Sequence, residues 1–373
     1  MTETITGNEV IRVFEQMSPK HLAFDWDKVG LQVGTLNKPV KNIMITLDVL
    51  ENVVDEAVEK QVDLIISHHP VIFKPLNQIN PDTPKGRVIQ KLIKHEITVY
   101  AAHTNLDIAE GGVNDALAQA LGLSKTKPLL ETGKDKLVKL IVFVPEDHAE
   151  QVRQAMHDAG AGHIGDYSNV SFSMPGKGRF MPTEDADPFL GKIGEMEIVD
   201  EQRVEFLLPH SKLSNVLKAM QEAHPYEEVA YDVYTLQNES ESYGIGRIGT
   251  LNEGMRLRSF CEHIKKSLDV PSLRVIGDLE ESVKTVAILG GSGEKYIYEA
   301  KRQGADVYLT GDMTFHPAQE AEEIGLKVVD PGHHVEKVMK KAVKTYLDEK
   351  LNQKEDKLNV YISEANTEPF KFI

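Results

Sequence analysis

The chain has 373 residues and a formal net charge of −16, which comes from 42 lysines and arginines against 58 aspartates and glutamates. This length predicts two or three domains, and the acidic charge argues against nucleic acid as a partner because phosphate backbones repel it. The single cysteine, Cys261, excludes an intrachain disulfide and any metal site built from several cysteines. With no signal-peptide layout and no apolar run of about 18 residues, we expect a cytoplasmic protein that does not enter the membrane.

The first third of the chain alternates apolar runs with amphipathic segments. A helix is predicted over 8–17 with Asn8 as its cap, and the stretch 24–34 around Trp26 is expected to pack as a loop that closes a sheet edge. Further strands are predicted over 43–47, 64–67 and 97–101, and further helices over 51–60, 86–94 and 111–121. Buried strands separated by helices are typical of a mostly parallel sheet that is covered on both faces.

The same pattern returns near the end of the chain. Strands are predicted over 286–289, 305–310 and 327–329, and helices over 295–302 and 318–324. The two regions align without gaps, so that Ile45, Glu56 and Asp63 fall opposite Ile288, Glu299 and Asp306. The sequence therefore predicts one α/β domain that is built from two related halves.

The middle of the chain has a repeat of its own. Val144-Pro145 corresponds to Leu208-Pro209, and an amphipathic helix follows each pair. Two such units, closed by a strand over 226–236, predict an inserted ferredoxin-like α+β domain in which 173–194 is a long loop or hairpin. The predicted domains are thus 1–128 and 238–373 for the α/β part, and 129–237 for the insert.

Three predicted strands end in side chains that bind metals. The first ends at His68 and His69, the second leads through His103 to Asp107, and the third precedes the segment from His333 to Glu336. Ligands bind at the carboxyl ends of parallel strands, so we expect these side chains to converge. Imidazole and carboxylate donors together suit Zn, Mn, Fe or Co.

We therefore hypothesise a centre with two divalent metal ions, zinc being favoured, in which water completes the coordination as in many hydrolases. The hypothesised ligands are His68, His69, Asp107, His333 and Glu336. His103 is a candidate proton shuttle or second-shell partner, and the alternative is a buried histidine that only hydrogen-bonds. Three further features have two interpretations each. Asp312 lines the cleft or caps a turn, and His316 contacts substrate or is an exposed residue at a helix start. The loop Gly290-Gly291-Ser292-Gly293 cradles a phosphate or is a plain tight turn.

These motifs resemble those of the NIF-three-like family, also called GTP cyclohydrolase I type 2 homologues. They read Trp26-Asp27-x-x-Gly30-Leu31-Gln32-x-Gly34, Ser67-His68-His69-Pro70, Ala102-His103-Thr104-Asn105-Leu106-Asp107, Thr310-Gly311-Asp312 and Gly332-His333-x-x-Glu336. The resemblance implies a dinuclear metal centre at the five ligands named above and a ring-shaped homohexamer. Many members separate the last histidine and glutamate by four residues, so His334 stays an alternative or supplement to His333.

The middle segment is similar to the insert of the longer bacterial members, which resembles the trimeric PII and CutA proteins. Two functions are compatible with the sequence. One is a metal-dependent hydrolase of a small, nucleotide-like substrate, and the other is a non-enzymatic metal-binding or regulatory assembly whose insert senses a ligand. Open metal positions favour the hydrolase, because structural zinc sites are usually closed by four protein ligands.

Overall fold

The computed structural model describes residues 5–238, 242–351 and 358–373. Contacts divide the chain into two compact units, one formed by Met1–Thr132 with Tyr243–Ile373 and the other by Gly133–Ser242. Their boundaries lie a few residues after those predicted, within or next to two long strands. None of the described helices is long and apolar enough to cross a membrane.

The described residues form helices and strands in alternation. The strands are β1 Gly30–Val33, β2 Asn42–Thr46, β3 Leu64–Ser67, β4 Thr98–Ala101, β5 Ser124–Lys134, β6 Leu137–Pro145, β7 Ser171–Phe180, β8 Glu197–Pro209, β9 Tyr231–Thr235, β10 Ser242–Arg256, β11 Arg274–Ile276, β12 Ser282–Ser292, β13 Val307–Gly311, β14 Lys327–Asp330 and β15 Asn359–Ile362. The α-helices are α1 Gly7–Met17, α2 Glu51–Glu59, α3 Pro84–Lys94, α4 Thr104–Ile108, α5 Val113–Ala120, α6 Ala149–Asp158, α7 Leu213–Ala223, α8 Leu257–Leu268, α9 Ile297–Arg302, α10 Phe315–Glu323 and α11 Met339–Leu351.

The first unit contains two sheets, and both are largely parallel at their centres. One has the order β1-β4-β3-β2-β15 and the other the order β11-β14-β13-β12-β10-β5. In the first sheet β4, β3, β2 and β15 run parallel, whereas β1 is an antiparallel edge strand. The central strands β3 and β4 are buried along their whole length, as their continuous apolar sequences predict for strands covered on both faces. The predicted α/β fold is confirmed.

The two halves of this unit repeat a structural detail. Asp63 accepts hydrogen bonds from the backbone N–H groups of Lys41 and Asn42, at 2.8 and 2.9 Å. Asp306 accepts the corresponding bonds from the N–H groups of Lys284 and Thr285, at 2.9 and 2.8 Å. Each carboxylate therefore holds the neighbouring strand near its N-terminal end, which explains why an aspartate stands at the same place in both halves.

Some predicted helix ends are wrong by a few residues. Helix α1 begins at Gly7 and its cap is Thr6 rather than Asn8, since the Thr6 hydroxyl and Glu9 form a reciprocal capping box. Helix α3 begins at Pro84 instead of residue 86, because the Thr83 side chain caps it. In both cases a hydroxyl side chain before the apolar residues sets the helix start.

The second unit has the predicted ferredoxin-like topology. Its sheet has the order β7-β8-β6-β9, and every neighbouring pair is antiparallel. Helices α6 and α7 pack on this sheet and bury Val152, Met156, Val216 and Met220, the residues that repeat in the sequence. Of the two interpretations of 173–194 the hairpin is the one observed, because Ser171–Phe180 pairs with β8.

Candidate metal centre

The side chains at the carboxyl ends of three strands meet in the first unit. His68 and His69 follow β3, and Asp107 lies on the short helix α4 after β4. A 3₁₀ helix, His333–Val338, follows β14 and carries Glu336. The structure thus brings together all five predicted ligands.

Glu336 lies at the centre of the cluster. Its Oε2 atom is 3.7 Å from His68 Nε2, 3.0 Å from His69 Nε2 and 3.2 Å from His333 Nε2. Asp107 Oδ1 lies 3.5 Å from His68 Nε2. Three groups of side chains each have their donor atoms within 4.8 Å of one another and could hold a metal ion: His69 with His333 and Glu336, His68 with Asp107 and Glu336, and His68 with His69 and His103.

The opposite nitrogen of each imidazole has a partner outside the cluster. His69 Nδ1 lies 2.7 Å from Asp48 Oδ1, and His333 Nδ1 lies 2.7 Å from Asp312 Oδ2. His68 Nδ1 lies 2.9 Å from the carbonyl oxygen of Ala102. Each acceptor holds a proton on Nδ1, so the neutral ring directs its Nε2 lone pair into the cluster.

Burial and charge act against each other in this cluster. Burial disfavours the charged forms of His68 and His69, but nearby carboxylates outweigh burial, raising the pKa of His68 and raising that of His69 to about 10. Burial also opposes ionisation of Glu336, yet the three imidazoles hold its pKa well below its usual range. Burial raises the pKa of Asp107. The buried carboxylates therefore favour positive charge at this point, which a divalent cation supplies when the imidazoles are neutral.

Two buried polar atoms of the cluster, His68 Nε2 and Asp107 Oδ1, have no hydrogen-bond partner in the part of the chain that the structure describes. A buried polar atom without a partner is costly. Both atoms face the cluster, and a cation between them and Glu336 would satisfy both. Nitrogen and carboxylate oxygen donors in this combination fit Zn, Fe, Mn or Co.

His103 lies beside the cluster rather than within the group around Glu336. Its ring centroid is 5.3 Å from that of His68 and 5.7 Å from that of His69. His103 Nδ1 lies 3.1 Å from Asp27 Oδ2. Burial opposes ionisation of Asp27, but the adjacent His103 imidazole and the hydrogen bonds from Thr104 outweigh this effect and lower its pKa. Asp27 thus orients the ring with its other nitrogen available to the site.

Two histidines from the motifs lie outside the cluster. His334 Nε2 is 3.2 Å from Thr367 Oγ1, so the geometry favours its neighbour His333 as the ligand. His316 is exposed on α10, with Nδ1 3.3 Å from Gln319 Oε1. Gly290 and Gly291 lie against Glu336, where the absence of side chains leaves room for its carboxylate.

Two carboxylates that hold the ligand imidazoles are not indicated by the predicted ligand set, Asp48 and Asp312. Asp48 follows β2 at the same sheet edge as His68 and His69 follow β3. A carboxylate directly after a fourth predicted strand was therefore an available signal. Asp312 was weighed against a turn role, and it both adopts a positive φ of 56° and holds His333.

Comparisons with known proteins agree with the motifs. A sequence profile of Duf34/NIF3 (NGG1p interacting factor 3) matches residues 5–369. The "GTP cyclohydrolase 1 type 2 homolog" of Bacillus subtilis is 53% identical over 373 residues, which cover 100% of both chains. Its namesake in Halalkalibacterium halodurans is 50% identical over 98% of this chain and 99% of that one.

A solved structure has the same fold over the whole length. It is described as "The Crystal Structure of Bacillus cereus protein related to NIF3", is 52% identical and has a TM-score of 0.88, with 100% of both chains covered. A Staphylococcus aureus protein, SA1388, is 32% identical with a TM-score of 0.72 and the same coverage. The chain therefore belongs to the Duf34/NIF3 family, as its motifs predict.

Proposed function

We propose that the chain binds two divalent metal ions and is a metal-dependent hydrolase of a small substrate. The observation that carries the proposal is the convergence of three imidazole Nε2 atoms on one buried Glu336 oxygen, with Asp107 beside them. Glu336 lies in two ligand groups at once, which supports two ions that share it. Five protein ligands leave coordination positions open, as catalytic metal sites require.

The residues around the centre have distinct parts in this proposal. Bound divalent ions would polarise the substrate and activate water for attack. Asp48 and Asp312 hold His69 and His333 in the orientation that ligation needs. His103, oriented by Asp27, is placed to move a proton between the substrate and solvent, since its side chain is 18% exposed. The relatives' name, GTP cyclohydrolase 1 type 2 homolog, supports a nucleotide-like substrate.

Metal binding is tested first, by titrating zinc against a chromophoric chelator. His69→Ala and Asp107→Ala should each lose metal, whereas the exposed His95→Ala should bind as the unchanged protein does. Equal metal content in all proteins would refute the centre.

Hydrolysis is tested separately on the metal-loaded protein, with nucleotides, phosphoesters and cyclic amides as substrates. The double variant His68→Ala, His69→Ala is the control for contaminating activity. If this double variant keeps its full turnover, the proposed hydrolase activity is refuted, but the proposed metal centre is not.

A regulatory function is the second candidate, and one observation in the insert favours it. A cavity of about 650 Å³ lies between β7, β8 and the segment that joins them. The rings of Phe180, Phe189 and Tyr226 line it, and the Tyr226 hydroxyl donates to Glu201 Oε1 at 3.1 Å. A cavity of this size accommodates a small molecule. Ligand binding to the insert without any turnover at the metals would support the regulatory function instead.

We also propose a homohexamer, on the family resemblance and on one feature of the insert. Strand β9 is at the edge of its sheet, and its side chains Tyr231, Val233 and Tyr234 are exposed. Natural proteins seldom leave such an edge uncovered, and pairing around a threefold axis would cover it. Sedimentation equilibrium of this 41.6 kDa chain tests the proposal, since a monomer at all concentrations would refute it.

A further inference from the structure

Two aromatic side chains stand exposed beside the candidate metal centre. Trp26 is 58% exposed and Phe73 is 57% exposed. Their ring centroids are 6.2 Å apart, and each lies 6.2 Å from the ring centroid of His103. The three rings meet at interplanar angles between 71° and 84°, so they form an open corner.

The corner is held in place by buried hydrogen bonds. Trp26 stacks on Phe24 at an interplanar angle of 22°, and the Phe24 N–H donates to Thr104 Oγ1 at 3.1 Å. The buried Asp27 accepts from the N–H of Thr104 at 2.9 Å and from its hydroxyl at 2.6 Å. The loop that carries Trp26 is thus fixed to the segment that carries His103.

The corner is continuous with the metal centre through His103. The ring centroid of His103 lies 5.3 Å from that of His68 and 5.7 Å from that of His69. His103 therefore contacts both the aromatic pair and two of the candidate metal ligands. Aromatic rings favour flat partners at centroid distances of roughly 4.5–7 Å.

We propose that Trp26 and Phe73 form a stacking platform that positions a flat heteroaromatic ring of the substrate beside His103. This inference rests on the proposed function, because it assigns the substrate of the same site. The ring would stack on the platform, and the bond to be hydrolysed would lie over the metal ligands. Stacking adds affinity that does not depend on charge, which matters for an anionic substrate of a chain with a net charge of −16.

Tryptophan fluorescence reports on this platform directly, because Trp26 is the only tryptophan of the chain. The fluorescence of the zinc-loaded protein is titrated with guanosine monophosphate, adenosine monophosphate and ribose 5-phosphate. We expect saturable quenching by both nucleotides and none by ribose 5-phosphate. Phe73→Leu, which keeps the apolar volume but loses the ring, should weaken nucleotide binding roughly tenfold. The matched control Phe172→Leu, at a site 59% exposed in the insert, should not change it.

The outcomes separate the platform from the metal centre. Equal responses to ribose 5-phosphate and the nucleotides, or no response to either, in a protein that binds zinc would overturn the platform. An unchanged nucleotide affinity in Phe73→Leu would overturn it as well. Selective quenching by the nucleotides in a protein that does not bind zinc would support the platform and overturn the proposed function. Phe73→Leu should bind zinc normally, which excludes misfolding as the cause of weaker nucleotide binding.

Discussion

Replacing Asp48 with asparagine tests whether the partners of the ligand imidazoles set the metal affinity. Asp48 Oδ1 accepts from His69 Nδ1 at 2.7 Å, and its other oxygen accepts from the Thr367 hydroxyl at 2.6 Å. Asparagine keeps the shape and an acceptor oxygen but removes the charge. A hydrogen bond to a charged group contributes about 1.5–3 kcal/mol, against about 1 kcal/mol for a neutral one. This difference in hydrogen-bond energy predicts about tenfold weaker metal binding. That loss is at the lower end of the range known for groups that hydrogen-bond a metal-binding histidine.

Asp312→Asn is the matched comparison on the other side of the centre. Asp312 makes the same 2.7 Å contact to His333 Nδ1, but the two side chains are 45% and 40% exposed, against 26% and 24% for Asp48 and His69. Solvent screens the more exposed pair, so we expect a smaller loss of affinity. The positive φ of 56° at this position is no obstacle, because asparagine tolerates it.

The assay is a competition titration of zinc against a chelator at fixed pH and ionic strength. The exposed Asp82→Asn is the control and should leave the affinity unchanged. Asp48→Asn should bind metal more weakly than Asp312→Asn, and Asp312→Asn more weakly than the control. An affinity of Asp48→Asn equal to that of the control, or a larger effect of Asp312→Asn, would refute the reasoning from burial.

Three further substitutions test other parts of the first unit. Gly291→Ala should abolish metal binding in the zinc titration, because φ is +65° and a Cβ atom would lie 2.5 Å from Glu336 Oε1. Glu56→Gln should lower the free energy of unfolding by about 2 kcal/mol at pH 7. Burial opposes ionisation of Glu56, but hydrogen bonds outweigh it and lower its pKa to about 2. The ionised Glu56 carboxylate therefore contributes fully to the free energy of unfolding at any pH above its usual pKa. In urea denaturation, the difference in stability between the unchanged protein and Glu56→Gln should vanish as the pH falls towards 2. Arg247→Met should cost about 3–5 kcal/mol by the same measurement, since it removes the cation beside the partly buried Asp115 and the donor to the carbonyl oxygens of Ile108 and Ala109.

The parts of the fold that follow from local periodicity could be predicted from the sequence. The buried strands β3 and β13 appear as continuous apolar runs, and the halves align because each keeps an aspartate, Asp63 or Asp306, at the same offset. Convergence of the three strand ends follows from parallel topology alone. These features need no information about residues distant in the sequence.

Contacts between distant residues could not be predicted in this way. Arg247 occupies a glycine-rich stretch that gives no local indication of its partners, and its guanidinium reaches Asp115, 132 positions earlier in the chain. It also donates to the carbonyl oxygens of Ile108 and Ala109. The stretch 24–34 is predicted to pack as a loop that closes a sheet edge, but its residues 30–33 form the edge strand β1. Trp26 is exposed, and Phe24 and Asp27 fix the segment that carries it. Side-chain direction in irregular segments depends on such tertiary contacts.

The spacing of His333 and Glu336 shows how local geometry settles a question that the sequence left open. In an α-helix, spacings of three and of four residues both bring two side chains to one face. Here the segment is a 3₁₀ helix, with three residues per turn, so side chains three apart lie directly above one another. His333 Nε2 consequently lies 3.2 Å from Glu336 Oε2, while the next residue, His334, is turned towards Thr367. Gly332 has a φ of +84°, a conformation that glycine adopts without strain, and it connects the end of β14 to this 3₁₀ helix. An insertion of one residue between His333 and Glu336 should therefore preserve the contact only if the segment converts to an α-helix.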